Sequence, residues 1–302
     1  MTRWTAFAGV TGVVLLLLLG LARLSAAQFS STPRPERREG SDGHGDSCDH
    51  PGWAPEDAAP AAPAPTHLAR DADRALSTPE RSPVATAEAD AALAAGALLA
   101  NVALSQGLFG AMLVAAAVWA GVPAAALGLV PLATATDVAL GVGLGIALWL
   151  ASEAGGRLAE RLGVEVNETL RGALAPDTPG GWAILLLGVL PTVALFEEFL
   201  FRAVLVGALG AGFDAPAWLP ATVAGVPPWP WLLAAGSSVA FALGHGAQGR
   251  TGIAATGVLG FVLAGAFVLT GSFAVVAVAH YLVNALTLTV HEFDLTDLGG
   301  GR

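Results

Sequence analysis

From Ala91 to His291 the sequence is a succession of apolar runs, each about 20 residues long, the length that crosses a hydrocarbon core. Inside a bilayer a backbone must satisfy its own hydrogen bonds, so such runs fold as helices. We read spans near 92–120, 134–152, 189–209, 229–247, 252–270 and 273–291, with a further run at 5–22. The expected fold class is all-α, a polytopic transmembrane helix bundle of about seven spans. Composition agrees: 54% of residues are hydrophobic and 13% charged, against roughly 25% charged in soluble domains. Gly141 and Gly145 form a GxxxG pair suited to close helix packing.

The polar remainder is concentrated near the start. Half of the 24 acidic residues lie between Glu36 and Asp90, within a Pro/Ala-rich stretch that includes APEDAAPAAPAPTH. Residues 24–90 are therefore expected to be a disordered acidic insert. Its charge would repel nucleic acid and anionic lipid, so neither is expected as its partner, while the apolar runs place the chain in the lipid bilayer. Cys48 is the only cysteine, so no internal disulfide is possible. It lies near His44 and His50 in HGDSCDH, but without the paired-ligand spacing of zinc modules, and a solvated loop is the expectation. The expected organisation is an N-terminal span at 1–23, the insert at 24–90, a membrane domain at 91–292 and a tail at 293–302.

The run at 5–22 has two readings. It is either a signal peptide cleaved after Ala27 or a retained anchor. Arginine placement favours the anchor. Arg23, Arg34, Arg37 and Arg38 follow the run, Arg157, Arg161 and Arg171 fall in the 153–180 connection, and Arg250 follows the fifth span. The 121–133 connection has no charge, and 210–228 has only Asp214. This alternation predicts seven spans with the N-terminus outside and the C-terminus inside, in the cell membrane. Trp119, Trp149, Trp182, Trp229 and Trp231 fall near expected span ends, as an aromatic belt would place them.

The charges inside the runs carry the chemistry. LPTVALFEEFLFRAVLVGAL, residues 190–209, holds Glu197, Glu198 and Arg202. Glu198 and Arg202 are four apart and can pair on one helix face, while Glu197 points about 100° away and is left over. An unpaired intramembrane carboxylate marks a functional site by default. Outside the insert the only histidines are His245, His280 and His291. His245 ends FALGH, and His280 opens HYLVN with Asn284 on the same helical face, while His291 sits at a span end. Counting 1.5 Å per residue places His245, His280 and Asn284 roughly 9, 18 and 12 Å from the cytoplasmic boundary, and the site is expected on the cytoplasmic side of the midplane. An unbroken span from Trp182 would put Glu197 about 22 Å deep, too far from His245. A helix starting near Val189, with Pro191 in its first turn, would bring Glu197 to about 12 Å. Residues 181–188 would then be an interfacial or re-entrant lead-in.

EEFLFR fits EExxxR, FALGH fits FxxxH and HYLVN fits HxxxN, in that order on three spans. Over roughly residues 90–292 this resembles the CPBP family of intramembrane endopeptidases, which includes CAAX prenyl proteases of the Rce type and bacteriocin-immunity Abi proteins. The resemblance implies that Glu197 is the general base activating water and that His245 helps to hold that water. It implies that His280 and Asn284 stabilise the oxyanion and that Glu198 and Arg202 orient the site, with Glu198 able to share the work. Family members are often classed as metalloproteases. Glu197, His245 and His280 could in principle bind zinc, although the HExxH spacing is lacking and a glutamate-driven, metal-free reaction is the preferred reading. The implied substrate is a membrane protein or a prenylated peptide. Two other classes stay open: a non-catalytic immunity or scaffold protein of the same family, and a proton-coupled transporter. Against the latter, repeated halves are not evident.

Overall fold

The computed structural model describes residues 1–31, 83–130, 133–164, 172, 174–176, 178–223 and 225–292. Most of the expected insert, residues 32–82 with His44, Cys48 and His50, lies outside the described residues, as does the tail from 293. Met1–Ser31 and the chain from Ala91 form one compact unit.

Among the described residues the fold is helical, with one isolated bridge between Val223 and Val226. We number the long helices α1 (Trp4–Ser31), α2 (Pro83–Ala120), α3 (Ala135–Arg161), α4 (Pro179–Gly212), α5 (Pro228–Gly244), α6 (Gly249–Thr270) and α7 (Phe273–Glu292). Six of them are long and apolar enough to cross a membrane. The exception is α5, whose 17 residues rise only about 26 Å, short of a core of about 30 Å. The count of about seven spans thus becomes six plus one short helix. Helix α1 runs past the expected insert boundary to Ser31, and α2 begins inside it at Pro83.

Helix α4 is the axis of the bundle. Of its most apolar window 56% is buried, against 11–44% in the other five spans. All three apolar clusters include it. One joins Phe7 and Val14 of α1, Leu113 of α2 and Phe241 of α5 to Phe199 and Leu200. A second packs Leu99 of α2 and Leu288 of α7 on Trp182 and Leu185. The third packs Leu263 and Phe267 of α6 and Val276 and Ala279 of α7 on Val206. Helix α1 is therefore built into the core and not appended to it. Its start is tied to the end of α2: the Arg3 N–H bonds the Ala120 carbonyl at 2.8 Å, and the Arg3 guanidinium lies 4.7 Å from the Trp119 ring centre.

Helix α3 lies close against α7 because Gly141 and Gly145 have no side chains. A Cβ on Gly141 would fall 2.8 Å from the Val275 carbonyl, and one on Gly145 2.9 Å from Leu282 Cβ. Any larger residue would push α7 away. Its far end is tied by His291 Nε2 to Glu153 Oε1 at 2.7 Å. A capping box of Thr134 and Asp137 starts α3.

The expected break before Pro191 does not occur. Helix α4 continues through it for 34 residues, far more than a bilayer requires. A proline within a helix lacks an N–H and its ring clashes with the carbonyl four residues back. Here a π-helical stretch, Leu185–Val189, widens the turn ahead of Pro191. The neighbouring Thr192 hydroxyl donates to the Gly188 carbonyl at 2.8 Å, meeting part of the backbone's need. Trp182, from which the unbroken span was counted, is 6% exposed and packs in the core, and with α4 unbroken Glu197 Oε2 still lies 4.0 Å from His245 Nε2.

Candidate active site

Three helices bring the motif residues together, and α4 supplies most of them. Glu197 and Glu198 end its α-helical stretch Leu190–Glu198, and a ten-residue π-helical stretch, Phe199–Ala208, follows with Arg202 in it. Glu198 and Arg202 are fully buried. Arg202 Nη1 donates to Glu198 Oε1 at 2.7 Å, and Nη2 donates to the Gly260 carbonyl of α6 at 3.0 Å. The guanidinium carbon also lies 4.6 Å from the Phe241 ring centre. Charge, backbone acceptor and aromatic face together hold this cation away from water.

His280 of α7 reaches the same carboxylate, with Nδ1 2.6 Å from Glu198 Oε1. Glu198 Oε1 thus accepts two bonds, while its Oε2 is buried without a partner. Glu198 therefore holds both Arg202 and His280 through one oxygen. His245 is not inside a helix as expected. It caps the end of α5 after Gly244, and its Nδ1 lies 2.8 Å from the Phe241 carbonyl.

These contacts fix both rings. A carbonyl can only accept, so Nδ1 of His245 carries the hydrogen and a neutral ring presents a lone pair at Nε2. The carboxylate acts likewise on His280. Both Nε2 atoms face Glu197, His280 at 3.7 Å and His245 at 4.0 Å from Oε2. Three acceptors therefore converge at distances too long for direct hydrogen bonds. A group that donates hydrogens, such as a water, suits the space between them.

Phe241, the aromatic of the FALGH motif, is the hub around which the site packs. Its ring centre lies 4.5 Å from that of His245, 5.9 Å from His280 and 5.0 Å from Phe201. Asn284, one turn beyond His280, is half-buried and makes no side-chain hydrogen bond among the described residues. Its amide is free for an incoming group. His291 takes no part and pairs with Glu153 instead.

The same donors can be tested against a metal. A tetrahedral zinc with bonds of about 2.0–2.2 Å draws its ligand atoms to about 3.4 Å apart. The separations here are wider, and no cluster of His, Cys, Asp or Glu among the described residues has a metal-holding arrangement.

Residues 179–286 match the family model described as type II CAAX prenyl endopeptidase Rce1-like. This segment belongs to the Rce1-like family. It contains Glu197, Glu198, Arg202, His245, His280 and Asn284, and runs from the start of α4 into α7. No curated protein and no solved structure matched the chain. Outside the Rce1-like segment, α2 adds one polar group that the motifs do not contain: Gln106 Nε2 lies 3.4 Å from Glu197 Oε1. The sequence signal for it was a lone glutamine amide within an apolar run.

Proposed function

We propose that the protein is a membrane-embedded endopeptidase that hydrolyses a peptide bond with water activated by Glu197, without a metal. The observation that supports this is the convergence of Glu197 Oε2 with Nε2 of His245 and Nε2 of His280 on one small space. Water held there lies beside a carboxylate that has no cation paired to it directly. Glu197 takes one proton as the water oxygen attacks the peptide carbonyl carbon. The oxyanion that forms is met by the Asn284 amide N–H, while Nε2 of His280 accepts a hydrogen bond from the remaining O–H of the attacking water. Glu197 then passes its proton to the amine as the C–N bond breaks. Arg202 and Glu198 hold the His280 ring in place throughout and transfer nothing themselves.

The family description points to a prenylated CAAX-type peptide as the substrate. The arginine alternation points to the cell membrane, with the site toward the cytoplasmic side. The test uses the full chain in proteoliposomes with a farnesylated, quenched-fluorescent CAAX-type peptide. Wild type cleaves it, Glu197→Gln does not, and a chelator leaves the wild-type rate unchanged. Cleavage by folded Glu197→Gln sinks the mechanism, and loss of activity on chelation replaces it with a metal-dependent one.

A further inference from the structure

Gln106 lies outside the Rce1-like segment, yet the packing of α2 delivers it to the catalytic carboxylate. The two helices meet through glycine. A Cβ on Gly110 would lie 3.4 Å from Phe196 Cδ2, and one on Gly107 3.8 Å from Thr192 Cγ2. Both glycines share a turn of α2 with Gln106, so the helix face that touches α4 is the one that carries the amide. From there Gln106 Nε2 donates to Glu197 Oε1 at 3.4 Å, a weak bond a little beyond the usual N–H···O range. The amide orientation follows from chemistry, since the reverse would set a carbonyl oxygen against a carboxylate. The amide's other atom, Oε1, is buried without a partner. A half-satisfied amide in an apolar run is costly as a mere packing residue.

The remaining polar contacts of Glu197 are all on its other oxygen. His245 and His280 face Oε2, while Glu198 and Arg202 are engaged with each other. The carboxylate is thus divided, with Oε1 toward α2 and Oε2 toward the site. We propose that Gln106 is a positioning residue for the base: its amide N–H holds Oε1 of Glu197 so that Oε2 faces the two histidine nitrogens. This rests on the reading of Glu197 as the base. It also makes a helix outside the Rce1-like segment part of the working site.

The test uses full-length protein in nanodiscs and two readouts. The first is cleavage of the farnesylated reporter peptide. Gln106→Met, similar in size but without a donor, lowers kcat by about ten-fold, the scale of one hydrogen bond to a charged group, and leaves KM within about two-fold. The second is the infrared carboxylate band of Glu197, assigned as the band missing from Glu197→Gln. Gln106→Met shifts that band because a donor has left Oε1, and a purely structural role would not move it. An unmoved band, or a raised KM with kcat intact, overturns the proposal. If Gln106→Met does not fold, Gln106→Leu, which likewise carries no donor, replaces it, and the same two results decide. If wild type does not cleave the peptide, the proposed function falls. The infrared band then decides the Gln106 contact by itself.

Discussion

Replacing Arg202 with methionine tests how the buried charges are held. The substitution keeps a long apolar stem but removes three interactions: the 2.7 Å bond to Glu198, the 3.0 Å bond to the Gly260 carbonyl and the stacking on Phe241. Removing one partner of a buried ion pair costs about 3–5 kcal/mol, because the other charge is stranded. Glu198 keeps its bond to His280 Nδ1, so the lower end, about 3 kcal/mol, is the expectation. That is somewhat more than a hundred-fold in the folded-to-unfolded ratio. Adding Glu198→Gln to Arg202→Met removes the stranded charge and should recover about 1–2 kcal/mol, since neutral replacements of buried pairs are often tolerated. Reversible unfolding in mixed detergent micelles, followed by tryptophan fluorescence, measures both variants. A single variant within about 1 kcal/mol of wild type, or a double variant no better than the single, refutes the view that Glu198 depends on Arg202.

Gly145→Leu should separate α3 from α7, because even a Cβ there falls 3.0 Å from the Ala279 carbonyl. The expected cost is about 1–3 kcal/mol, with reporter cleavage lost as His280 shifts; Gly143→Leu, on a face with no neighbour within 4 Å, serves as the neutral control in the same assays. Helix α1 should stay on the protein, since Phe7 and Val14 are core residues. Intact mass of purified protein should include residues 1–27, and a mass matching cleavage after Ala27 contradicts this reading.

Much of the site was legible because intramembrane charge is rare. Glu197, Glu198 and Arg202 stand out against apolar neighbours, and the spacing of four already paired Glu198 with Arg202. The helix-packing glycines of α3 were legible for a similar reason, as a repeat on one face. What could not be read were facts of three-dimensional neighbourhood. Trp182 looks interfacial by residue type, and only packing shows it to be core. Pro191 looks like a helix start, yet the π-helical stretch before it lets the helix continue. Gln106 and the Gly260 carbonyl belong to helices without a motif, and a backbone carbonyl leaves no trace in a sequence.

The shortness of α5 bears on supply. Hydrolysis consumes water, and a base enclosed by apolar helices is cut off from it. Because α5 stops at Gly244, the chain beside Glu197 is a single 3-10 turn, Gly246–Gln248, with His245 at its head. The His245 side chain is 24% exposed, against 3% for His280. The α5 side is therefore the more open side of the site, and water arriving there meets the His245 imidazole before the carboxylate.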